Sequence, residues 1–159
     1  MTNFINPIDL LIILFIIIIS LLGIKNGLII ELKKVINLFL SLFLSYNIVE
    51  YVMRLYPQSE IINISLHILT FIILILFIGF FIDLALQYFP PLTIEKYINK
   101  FMGLLLAIFK GLLLIATLLF FIHLVPIQKD IKNNFFLKAN KGSTLFSICN
   151  NLQSFIINK

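Results

Sequence analysis

Four apolar runs, at about residues 8–24, 35–53, 63–84 and 101–125, are joined by connections too short to form a domain, and no other feature constrains this chain as much. A helix needs about 20 apolar residues, with a lower limit near 17, to cross the hydrocarbon core of a bilayer. Each run meets that requirement. A soluble domain of this length would be about 45 to 50% apolar, whereas these 159 residues are 61% hydrophobic with a mean hydropathy of +1.11. The expected fold is all-α: an integral membrane four-helix bundle over residues 1–126, then a basic, amphipathic tail over 127–159.

Several function classes are excluded by composition. The formal charge is +5, but the lysines are dispersed at the ends of apolar runs and no basic cluster alternates with base-stacking aromatics, so no nucleic-acid partner is expected. A single cysteine, Cys149, rules out an intramolecular disulfide and a cysteine-rich metal site. It falls on the apolar side of the tail helix and reads as a buried thiol rather than a nucleophile. His67 and His123 have no second ligand at metal-binding spacing and read as polar or interfacial residues, so no metal is expected. No P-loop, HExxH or GxSxG occurs, and no cofactor and no enzymatic activity are expected. Residues 1–9 carry an acid and no Lys or Arg, and Gly23-Ile24-Lys25-Asn26-Gly27 is not a cleavage motif, so the first run reads as a retained span.

Lys25-Asn26-Gly27 forms a hairpin tip between the first two helices. The next helix opens with Glu31 and Lys34 on one face, about two turns at headgroup level in which the two can pair at i, i+3. Asn37, Ser41 and Ser45 then share a face that meets another helix rather than lipid. Tyr46, Tyr51 and Tyr56 stand where interfacial aromatics sit. Pro90 and Pro91 end the third helix, and Thr93 caps a short helical piece carrying Glu95, Lys96 and Lys100. Pro126 closes the fourth span. In the tail, Leu145, Ile148, Cys149, Leu152, Phe155 and Ile156 recur at helical spacing behind Ser143 or Thr144 as N-cap. This helix lies on the membrane surface or docks on the bundle. Lys129, Lys132, Lys138 and Lys141 contribute about 1 kcal/mol each beside anionic headgroups.

Gly103, Ala107 and Gly111 fall four apart and line a groove into which another backbone can press. Lys110 lies beside that groove, where a cation costs roughly 2.5 to 3.5 kcal/mol at mid-membrane and so faces protein, water or headgroups. Four spans put the 25–27 tip and the 85–100 connection on one side, gathering Lys25, Glu31, Lys34, Asp83, Lys100 and Lys110 at one end. Glu31 and Asp83 are the acids level with Lys110, and Asp9 lies roughly 20 Å away at the opposite interface. The cluster serves either packing and snorkelling or an ion or proton path. Lys and Arg divide six against six between the two sides, so the positive-inside rule gives no orientation.

Gly23, Lys25, Gly27 and Glu31, behind Asp9 and its apolar run, resemble the start of the colicin V production protein (CvpA) family of bacterial inner-membrane proteins. Asn99-Lys100-Phe101-Met102-Gly103 and Ala107-Ile108-Phe109-Lys110-Gly111 are similar to the family's acid-basic pair, Gly, Gly, basic, Gly at the start of helix four, with Asn99 in place of the acid and Ala107 in place of a glycine. The resemblance covers about residues 4–125 and adds Gly23 and Gly27 to the packing positions. It implies a multi-pass bacterial inner-membrane protein implicated in toxin (colicin V) production or export and in envelope homeostasis. Such a protein acts through helix contacts, as a homo-oligomer or with another membrane protein. A small transporter or channel component using Lys110 with Glu31 or Asp83 is the alternative.

Overall fold

The computed structural model describes residues 6–57, 59–88, 95–125, 134, 136–137, 139 and 142–157. All regular structure among them is helical: α1 (Pro7–Asn26), α2 (Leu28–Leu55), α3 (Glu60–Tyr88), α4 (Lys96–Leu124) and α5 (Thr144–Ile157). Thr93, the prolines at 90, 91 and 126, the lysines at 129, 132, 138 and 141, and the side chains of Phe155 and Ile156 fall outside the described residues. By length and composition, α1, α3 and α4 can each cross a membrane. α2 has the length, at 28 residues, but is not one of these three. Its charged first turns and its stripe of Asn37, Ser41, Ser45 and Asn47 set it apart from the others.

The helices outrun their apolar runs, and α1 is capped at its start. Asn6 accepts the Ile8 N–H on its Oδ1 at 3.0 Å, and Pro7 occupies the first helical position, where a missing N–H costs nothing. α1 continues through Asn26, and the expected hairpin tip shrinks to Gly27, whose φ of 80° suits a residue without a Cβ. α4 is one continuous helix from Lys96, with Glu95 at its N-cap, rather than a short surface piece followed by a span.

Side by side, the helices run α1, α4, α2, α3. α4 packs along α1 on one flank and along α2 on the other, so it enters between the arms of the first hairpin. Its small residues Gly103, Ala107 and Gly111 serve the α1 flank. Its Leu113 and Phe120 form a core with Val35, Leu38 and Leu42 of α2. α3 lies against α2 and meets α4 through Phe71 on Phe121 and His67 on Phe120, with ring centroids 5.4 and 5.7 Å apart. Along α2, Ser41 and Ser45 are fully buried, and Asn37 donates from Nδ2 to the Ile75 carbonyl at 3.0 Å. Asn37, Ser41 and Ser45 therefore face other helices, whereas Asn47 is exposed and donates to the Phe43 carbonyl of its own helix.

α5 docks on the bundle. Phe146 and Cys149 join Ile12, Leu119 and Ala139 in a second core. Ser143 is its N-cap, accepting the Phe146 N–H on Oγ at 3.0 Å. Its hydroxyl in turn donates to Asp9, which also accepts the Leu145 N–H at 3.2 Å. A carboxylate at this position satisfies an orphan donor and faces the positive end of the helix dipole.

Candidate functional site

The site is built where α4 wedges into the first hairpin. At Gly103 the backbones of α1 and α4 touch. A Cβ on Gly103 would stand 2.6 Å from the Gly23 carbonyl oxygen and 2.9 Å from the Gly27 backbone, and one on Gly23 would collide with Ala107. Gly111 is roomier, since its Cβ would meet Ile16 at an ordinary 3.5 Å. The face of α4 that carries Gly103, Ala107 and Gly111 is thus occupied by α1 of the same chain. Asn99 completes the joint. Its Oδ1 accepts the Leu28 N–H at 2.7 Å, closing the N-terminus of α2 across Gly27.

One turn further on, Glu31 is wholly enclosed at 0% side-chain exposure, with Lys110 beside it at 11%. The charged first turns of α2 would by themselves place Glu31 at the headgroup level. Its burial follows from α4 covering the first turns of α2. A carboxylate without water needs its lone pairs satisfied by protein. Oε2 takes the ammonium of Lys110, while Oε1 accepts from Asn26 Nδ2 at 2.6 Å and from Lys34 Nζ at 3.1 Å. Three segments thus converge on one acid: the last turn of α1, the first turn of α2 and the second turn of α4 beyond Gly103.

The remaining members of the expected cluster lie outside this clamp. Asp83 pairs with Lys33, not with Lys110, and its side chain is 56% exposed. It sits on α3, which α2 separates from α4 at this end. Lys25 and Lys100 are exposed and form no ion pair among the described residues. Asn26 and Lys33 carried no signal in the sequence beyond their proximity to Glu31. Asp9, expected at the opposite interface, anchors α5.

Among the described residues, no group of three or more His, Cys, Asp or Glu is placed to hold a metal ion. A model of the family described as colicin V production protein matches residues 8–153. The chain belongs to that family. The match runs from the first turn of α1 into the docked tail helix, so it takes in the glycine joint, the Glu31 clamp and Asp9 together. Family and apolar helices agree on a membrane protein. No curated protein and no solved structure matches the chain.

Proposed function

We propose that this is a multi-pass protein of the bacterial inner membrane, with α2 as a fourth crossing beside α1, α3 and α4. It supports colicin V production or export and envelope homeostasis without catalysing a reaction. α2 is joined to α1 by a single residue and lies between α4 and α3, a position that supports a crossing despite its polar stripe. The observation that carries the reading is the saturation of Glu31. Both its oxygens are occupied by donors from the same chain, which favours a clamp that fixes helices over a carboxylate free to pass ions or protons.

With the groove of α4 filled by α1, a second copy or another membrane protein would meet the outer faces of α1 and α3. The bilayer itself is a partner. An entirely apolar cleft of about 340 Å³ between α1 and α4, lined by Leu11, Phe15, Leu118 and Phe146 among others, suits an acyl chain. The transporter reading needs Lys110 with Glu31 or Asp83: Asp83 pairs with Lys33 instead, and Glu31, which does pair with Lys110, has its other oxygen taken by Asn26 and Lys34.

The test is complementation of a colicin V-secreting strain that lacks its family member, with toxin release into the medium as readout. Lys110→Met should abolish release, and Glu31→Leu combined with Lys110→Met should restore most of it, because an apolar pair can replace a clamp. A double variant that folds yet releases no toxin, together with proton or ion flux in proteoliposomes of the parent that the double variant lacks, would establish the transporter reading instead.

A further inference from the structure

Among the described residues, three buried side-chain polar atoms have no hydrogen-bond partner: Gln153 Oε1 on α5, and His67 Nε2 and Asn63 Oδ1, both on α3. The two residues on α3 stand one helical turn apart. His67 is the one buried residue of that helix, at 4% exposure. Its ring lies between Tyr46 of α2, at a centroid distance of 6.3 Å, and Phe120 of α4, at 5.7 Å. Nδ1 is 2.9 Å from the Asn63 backbone carbonyl. A carbonyl oxygen only accepts, so Nδ1 carries the hydrogen and Nε2 presents a lone pair. Asn63 Oδ1 is likewise an acceptor. Ser45 and Thr117 of α2 and α4, by contrast, are satisfied within their own helices, Ser45 donating to the Leu42 carbonyl at 3.0 Å and Thr117 to the Leu113 carbonyl at 2.8 Å. Two acceptors on residues one helical turn apart, left unpaired in an apolar setting, are costly unless a donor meets them.

The structure assigns His67 Nε2 and Asn63 Oδ1 as a binding site, at the junction of α2, α3 and α4, for a small hydrogen-bond donor of the size of water. A water fits the demand because it has two hydrogens for two acceptors. An ammonium ion offers the same donor chemistry with a charge and would face the Tyr46 and Phe120 rings. The assignment is independent of the proposed function, since neither atom belongs to the Glu31 clamp.

Nitrogen-15 NMR of imidazole-labelled full-length protein in lipid nanodiscs tests it. The chain has two histidines, so the signals lost in His67→Phe are those of His67. His123→Gln gives the same assignment should His67→Phe not fold. The Nε2 resonance should stand upfield of a free lone pair, at the position of a hydrogen-bonded acceptor, and shift on exchange into D₂O. Asn63→Ala should move it back toward the free position. Titration with ammonium chloride against sodium chloride separates the two donors: a shift specific to ammonium identifies the cation, and none identifies water. An Nε2–H tautomer, a free lone pair insensitive to D₂O, or indifference to Asn63→Ala would overturn the assignment.

Discussion

α3 and α4 are both 29 residues long and both apolar enough to cross a membrane, yet α4 buries eight residues and α3 only His67. Hydrophobicity does not separate them. In a bilayer, lipid solvates an apolar side chain as well as protein does, so burial is won by residues that let backbones approach or that lipid would not tolerate. α4 has both, as small residues on its α1 flank and a lysine that must find an acid. α3 has one glycine, Gly79, and, beside Glu60 at its start, one acid, Asp83; Gly79 and Asp83 are met by α2 alone: a Cβ on Gly79 would lie 3.0 Å from Asn37 Nδ2, and Asp83 pairs with Lys33.

The difference can be broken most forcefully at Lys110. Lys110→Met leaves the enclosed Glu31 carboxylate with Asn26 and Lys34 only, a loss of about 3 to 5 kcal/mol by analogy with buried pairs deprived of one partner. Reversible unfolding in mixed micelles should register it as a large fall in stability. Glu31→Leu added to Lys110→Met should recover most of the loss. Gly103→Leu comes next. It drives a side chain into the backbone of Gly23 and Gly27, and overpacking of this kind costs about 1 to 3 kcal/mol or more. Disulfide trapping between engineered cysteines in α1 and α4 should report the separation. Gly111→Ala, at ordinary contact distance, should leave the same trapping unchanged.

These two sites also show how much the residues alone reveal. The four-residue spacing of Gly103, Ala107 and Gly111 marks a face of α4, and the rise per residue puts Glu31 and Asp83 level with Lys110. Neither says which helix fills the groove or which acid is chosen. That depends on the lateral order α1, α4, α2, α3, and a helical period carries no information about neighbours. Gly23 is conspicuous only through the family resemblance, because a lone glycine in an apolar run has no period to betray it. The role of Asp9 in holding α5 is hidden for a related reason, since its partner Ser143 lies 134 residues away. His67 is visible as a histidine in an apolar run, but its unpaired nitrogen becomes apparent only once Tyr46 and Phe120 surround it.

Besides the flanks that meet α1 and α2, α4 has a side covered by α5, which gives a smaller effect with its own probe. Asp9→Ala removes the acceptor of the Leu145 N–H and the charge at the α5 N-terminus, a loss of about 1 kcal/mol. Cys149, fully buried in that contact, has its thiol pushed up to about 11 by burial. Its thiolate fraction therefore rises about tenfold per pH unit up to that value. Alkylation of the parent at pH 8 should be slow, and Asp9→Ala should speed it by loosening α5. Equal rates in the two proteins would detach Asp9 from the hold on the tail.

The smallest effect belongs to α3, and it is the one that decides whether the comparison holds. Asp83→Asn breaks an ion pair, as Lys110→Met does, and the two pairs look alike as charges on a helix. Their surroundings differ: the Asp83 side chain is 56% exposed and that of Lys33 26%, so water compensates what is lost. Exposed pairs of this sort contribute about 0 to 1 kcal/mol, and added salt screens them further. The stability of Asp83→Asn should thus stay within about 1 kcal/mol of the parent, with the gap closing as ionic strength rises. A loss for Asp83→Asn as large as that for Lys110→Met would mean that α3 is held as tightly as α4, and the contrast between the two helices would fail.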